Sequence, residues 1–126
     1  MTVINRERGA ASIWVLASGA VLMVFALTIT ARTAAVFARH RVEAAADLAA
    51  LAAAARIGFG GDPCAFAAQV AARNHATLAS CAVAQDPDGR SGTVRIRVVG
   101  KIRLPLVGTR NVAAMARAGR LRAEPG

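Results

Sequence analysis

The chain has 126 residues, 56% of them hydrophobic but only 4% aromatic, and this length points to one domain at most. Alanine and valine supply much of the apolar content. A water-soluble core built mainly of alanine would be weak, because each methyl buries little area, so the excess points to a membrane segment plus a small domain. Lys and Arg outnumber Asp and Glu by 16 to 7, for a net charge of +9; this fits anionic partners or, more simply, a solvated basic strand face.

The first element is an uncharged span. Residues 1–8 form a short basic leader, and Gly9 to Ala31 carries no charge. As a helix that segment would cover roughly 34 Å, enough for a bilayer core of about 30 Å. It shows no polar stripe of the kind a buried soluble helix carries, and it is longer than the apolar region of a secretory signal. Arg32 interrupts the region where a small-residue cleavage site would lie, leaving Thr33-Ala34-Ala35 as a weak one. The expectation is a retained transmembrane helix over 9–31. Lys and Arg counts on its two sides mildly favour an outside N-terminus. The short N-terminal segment and the cysteines favour the reverse.

Residues 32–57 extend the helix with an alanine-rich segment of high helix propensity, free of proline and glycine. Phe37, Ala44, Leu48, Leu51 and Ala55 recur on one apolar stripe, and Ala44, Leu48, Leu51 and Ala55 are the expected helix-packing face. Arg39 and Glu43 are spaced to pair on another face. A helix continuous from Ser12 to Ile57 would be roughly 70 Å long. Gly58, Gly60 and Gly61 end it.

Asp62-Pro63 opens a second helix, with Asp62 as N-cap and Pro63 in the first turn. Phe66, Val70 and Leu78, with Ala67, Ala71 and Ala79 beside them, can share its buried face, and the helix is expected to end near Asn74 or His75. CAVAQ is a short strand, and DPDGRSG is a turn. In TVRIRVVGKIRL, Val94, Ile96 and Val98 alternate with Arg95 and Arg97, as in a half-buried antiparallel strand. Val99-Gly100 breaks the alternation, consistent with a bulge. LPLVGTRN reads as a loop, NVAAMARAGRL as either a third strand or a short helix, and 123–126 as a disordered tail. The expected fold is α+β: the long membrane helix, then a small extracytoplasmic head over 62–122 with one helix and a two- to three-stranded antiparallel sheet.

Candidate chemistry is sparse. Cys64 and Cys81 stand 17 positions apart, and in an extracytoplasmic domain a disulfide between them is the natural reading. A metal site from Cys64, His75 and Cys81 lacks a fourth ligand nearby and any C-x-x-C spacing. Asp47, in the alanine run, is either a partner to a neighbouring subunit or a solvent-facing residue. No nucleophile elbow, phosphate loop or carboxylate pair is present, so no catalytic role and no cofactor is expected. Arg95, Arg97, Lys101 and Arg103 form a candidate anionic-ligand face, without the aromatic interleaving or basic helix of a nucleic-acid module; no nucleic acid is expected. The same residues also suit a strand face kept soluble by arginine.

RGAASIWVLA, the apolar span, and then Ala45-Ala46-Asp47-Leu48-Ala49-Ala50-Leu51-Ala52-Ala53-Ala54 resemble the start of TadE-like and TadG-like proteins of the tight-adherence (Flp pilus) assembly system. The continuation through Cys64, ARNHATLASC and an alternating strand resembles the short actinobacterial helicase/secretion-neighbourhood TadE-like proteins. The resemblance implies a non-enzymatic, pseudopilin-like accessory subunit, single-pass in the cytoplasmic membrane. Its partners would be other pilus-assembly or secretion membrane proteins, in a homo- or hetero-oligomer. It also implies a prepilin-type processing junction at Gly9 and Ala10. In that pattern a glutamate stands fifth after the cut, where this chain has Trp14. A filament would bury the new α-ammonium, and an indole cannot neutralise it. Trp14 suits an interfacial anchor instead, so the expectation is an uncut leader, or a cut without entry into a long homopolymer. The competing function class is a membrane-tethered module whose basic strand face holds an anionic envelope polymer.

Overall fold

The structure, a computed structural model, describes residues 2–104 and 106–123, with side chains from residue 9 onward. Helix α1 runs Thr2–Arg56 and α2 Pro63–Arg73, followed by strands β1 Ala76–Gln85, β2 Gly92–Leu104 and β3 Gly108–Arg120. The strands form one antiparallel sheet in the order β1-β2-β3. This is the expected α+β architecture, and the open question over NVAAMARAGRL is resolved as a strand. The tail reading for 124–126 lies outside the described residues.

The chain divides into two units after Ala34. The described residues of the N-terminal unit are helix alone. Gly9–Arg56 contains a stretch long and apolar enough to cross a membrane, with none of it buried. Its hydroxyls turn inward: Thr28, Thr30 and Thr33 donate to the carbonyls of Val24, Ala26 and Ile29, one turn back, and Ser18 donates to Val15 O. Polar groups bonded to their own helix cost little in an apolar medium.

The C-terminal unit has a two-layer core. From α1, Val42, Ala45, Ala46, Ala49, Ala50, Ala53 and Ala54 are buried, with Ile57 just after it; from α2, Ala67 and Ala71; from the sheet, Ala76 of β1, Val94, Ile96 and Val98 of β2 and Ala114, Ala116 and Ala118 of β3. The register explains the match. Cys81, Ile96 and Ala116 lie in one cross-strand row, Leu78, Val98 and Ala114 in the next, and Ala76, Gly100 and Val112 in a third. The α1 alanines, the α2 alanines and the sheet residues form one buried cluster. Gly100 completes this fit, since a Cβ there would collide with the Val42 side chain.

Three local expectations are corrected. First, β2 keeps its alternation through Val99 and Gly100; the irregular register lies in β1, between Leu78 and Ser80. Gly100 interrupts the pattern because Val42 occupies its side-chain space. Second, β1 is longer than CAVAQ and begins at Ala76. Helix α2 stops at Arg73: Asn74 caps it, its side-chain Nδ2 donating to Val70 O, and His75 adopts φ 58°, so Leu78 and Ala79 belong to the strand. Third, the LPLVGTRN loop is shorter than expected, because β2 runs to Leu104 and β3 resumes at Gly108.

The ends of the elements are closed by specific contacts. Asp62 Oδ1 accepts from Cys64 N at the start of α2. Gly58, at φ 84°, follows α1 in the left-handed conformation that suits glycine. Arg120, at the end of β3, donates from Nη1 to the carbonyls of Ala55 (3.2 Å) and Ile57 (2.7 Å), and its guanidinium lies 4.4 Å from the Phe59 ring centroid. It thus satisfies carbonyls at the helix C-terminus, where a cation is also favoured by the dipole.

Candidate functional site

The candidate surfaces are best described by which side of an element faces the core. On α1 the alanine stripe meets the sheet. The face expected to pack is on another side: Leu48 is 48% exposed, Leu51 61% exposed, and Ala44 and Ala55 are exposed beside them. Phe37 is exposed as well. A leucine stripe outranks an alanine stripe in hydrophobicity, yet the smaller residues are the ones buried in the core. The leucines therefore remain on the surface of the C-terminal unit. Asp47 is exposed, and Arg39 Nε pairs with Glu43 Oε1 at 3.1 Å, with His40 Nδ1 3.2 Å from Glu43 Oε2.

At the other end of α1, Gly9 and Ala10 are exposed within continuous helix, nothing within 4 Å meets a Cβ placed on Gly9, and Trp14 is 77% exposed.

Cys64 and Cys81 form a disulfide that ties the first turn of α2 to β1. Closing a loop of this size is worth about 3 kcal/mol on the chain-entropy model. His75 is exposed, and among the described residues no cluster of three His, Cys, Asp or Glu side chains is placed to hold a metal ion.

Arg95, Arg97, Lys101 and Arg103 are all exposed on the outer face of β2. The register adds Arg117, directly opposite Arg95 on β3. Like charges facing across a pair of strands repel. This fifth cation could not be placed from the sequence, because it depends on the β2–β3 register and on β3 being a strand.

The β1–β2 turn is built around Asp88. Its Oδ1 accepts from the backbone N–H of Arg90 and Ser91, and the Ser91 hydroxyl donates to both carboxylate oxygens. These bonds, led by the Ser91 N–H, hold the Asp88 carboxyl below its ordinary pKa. A cleft of about 550 Å³ lies near this turn, lined by Arg56, Gly58, Gly60, Gly61, Asp62 and Gln85 among others. Asp62 is engaged as the α2 cap, and Arg56 stacks 4.3 Å from the Phe66 ring centroid. Neither is poised as an acid, base or nucleophile.

No curated protein and no solved structure matches the chain. Residues 9–56 match the model of the putative Flp pilus-assembly TadE/G-like family. The match takes in the uncharged span and the alanine-rich continuation of α1, and stops before the disulfide and the sheet. Over those residues the chain is similar to the TadE/G-like Flp pilus-assembly proteins.

Proposed function

We propose that the chain is a non-enzymatic, pseudopilin-like accessory subunit of a Tad/Flp-type pilus or secretion apparatus. The N-terminal unit of α1 anchors it once in the cytoplasmic membrane, and the disulfide-bonded head lies on the extracytoplasmic side. It acts by packing helix against helix with other membrane subunits of the apparatus. The observation that carries this reading is the division of α1 into two apolar faces. The alanine face is consumed by the chain's own sheet, while Ala44, Leu48, Leu51 and Ala55 stay exposed. A second apolar face with large side chains on an already packed helix marks an interaction surface. The disulfide supports the extracytoplasmic side, since such bonds persist in oxidising compartments.

Processing follows the same logic. The Gly9–Ala10 junction is accessible, but Trp14 stands where a filament subunit would need a carboxylate. The leader is therefore retained, or removed without entry into a long homopolymer. N-terminal sequencing of membrane-extracted protein checks this, and a start at Ala10 overturns the retained form.

The packing surface is tested in cells with a photo-crosslinking amino acid at Leu48 or Leu51. The expected result is a discrete adduct to a membrane subunit of the apparatus. The same probe at Arg97, on the sheet face, serves as the control. Adducts from Arg97 but none from Leu48 or Leu51 would place the contact elsewhere and sink the helix-packing mechanism.

A further inference from the structure

The β2–β3 hairpin carries an apolar tip that folding does not explain. Leu106 is fully exposed and Val107 is 56% exposed. Leu106 also adopts φ 69°, a conformation that costs a non-glycine residue free energy. Two hydrophobic side chains are thus held in solvent on a strained turn that glycine or asparagine would form more easily. Cations flank them on both strands, Lys101 and Arg103 on β2 and Arg110 on β3, with Arg103 opposite Thr109 and Arg110 opposite Ile102. From Arg90 to Ala123 the sequence holds no acid.

The hairpin also has a direction within its own unit. Its base is fixed by Arg120 on Ala55 and Ile57, and Gly100 lies against Val42. The hairpin therefore runs back along α1, toward the end of the C-terminal unit at which the chain enters from the uncharged segment. From Gly100 to Leu106 an extended strand advances roughly 20 Å. From Val42 back to Ala35 the helix advances about 10 Å, so the tip reaches that entry end.

From this placement we infer that the hairpin tip docks on an anionic lipid surface, that of the membrane holding α1, with Leu106 and Val107 entering the interfacial region and Lys101, Arg103 and Arg110 among the headgroups. The inference rests on the anchor reading of α1. A lipid surface fits better than a protein. A stable protein interface buries about 800 Å² on each partner, far more than two side chains offer, whereas a small apolar tip ringed by cations suits an anionic interface.

The test uses the full chain in vesicles of phosphatidylcholine, with or without an equal part of phosphatidylglycerol. One variant carries an environment-sensitive fluorophore at Leu106→Cys and a parallel one at Phe25→Cys, each with the native disulfide intact; Val107→Cys is a second tip reporter. Lipid-borne quenchers are expected to quench the Phe25 probe in both vesicles and the tip probes only with phosphatidylglycerol. Each cation contributes roughly a factor of five to docking, so Arg103→Gln with Arg110→Gln should weaken it about 25-fold. A quenched Phe25 probe beside unquenched tip probes overturns the docking and leaves the anchor standing. An unquenched Phe25 probe overturns the anchor and the docking with it. Equal tip quenching in both vesicles overturns the role of the anionic headgroups, and a tip signal that depends on protein concentration assigns the tip to a protein contact instead.

Discussion

The two units of the chain reverse the usual relation between size and burial. In the N-terminal unit the large apolar residues, among them Ile13, Leu22, Phe25 and Ile29, are exposed. In the C-terminal unit, alanine supplies most of the α1 contribution to the core and every buried β3 position. Hydrophobicity alone therefore does not predict what this chain hides from water. The self-bonded hydroxyls of the N-terminal unit suit an apolar medium. The C-terminal unit folds around small residues, whose burial contributes little per side chain. It relies instead on a cross-link, close helix–sheet approach and polar clamps.

That contrast can be broken most forcefully at the cross-link. Replacing Cys64 and Cys81 by serine should destabilise the C-terminal unit by about 3 kcal/mol while leaving the N-terminal helix intact. Thermal unfolding of the full chain in detergent, followed in the far ultraviolet, should show a lower transition above a persistent helical baseline. Loss of both signals together would show that the two units are not independent.

The next effect is at the helix–sheet contact. Ala50→Leu should overpack the buried face and cost about 2 kcal/mol. Leu51→Ala, one position along but on the exposed side, should change stability by less than about 0.5 kcal/mol. Equal costs in denaturant titrations would mean that the alanine face is not the packed one.

Arg120→Met keeps the apolar stem but removes both carbonyl bonds and the contact with Phe59. It should cost about 1.5 kcal/mol and raise hydrogen exchange at the end of α1 more than in β1.

The smallest effect is pH-dependent and confined to the β1–β2 turn. Because the Asp88 carboxyl is held below its ordinary pKa, its contribution is complete above the unfolded value of about 3.9 and is lost as pH falls through the lower folded value. Amide signals of Arg90 and Ser91 should therefore shift at acid pH, and Asp88→Asn should remove the dependence.

Features with a strong chemical signature were legible in the sequence. The uncharged span, the Asp62-Pro63 helix start, the alternation of Val94, Ile96 and Val98, and the cysteine pair each rest on one physical constraint visible in a few residues. What escaped reading was carried by alanine and glycine. Alanine suits a helix and fills a tight strand row, so ATLAS and NVAAMARAGRL offered no clear period. The buried face of α1 was obscured because Leu48 and Leu51 outweigh alanines in any stripe. Gly100 resembles a bulge until Val42 is seen to occupy its side-chain space. Arg117 joins the basic face only once the register is known.

The clamp at Arg120 bears on how the protein is made. The carbonyls of Ala55 and Ile57 receive their donor from a residue more than 60 positions downstream. The end of α1 stays open through synthesis of α2, β1, β2 and nearly all of β3. Closing contacts between residues so far apart in sequence is slow relative to local helix formation, so this clamp belongs to the late, non-local part of folding.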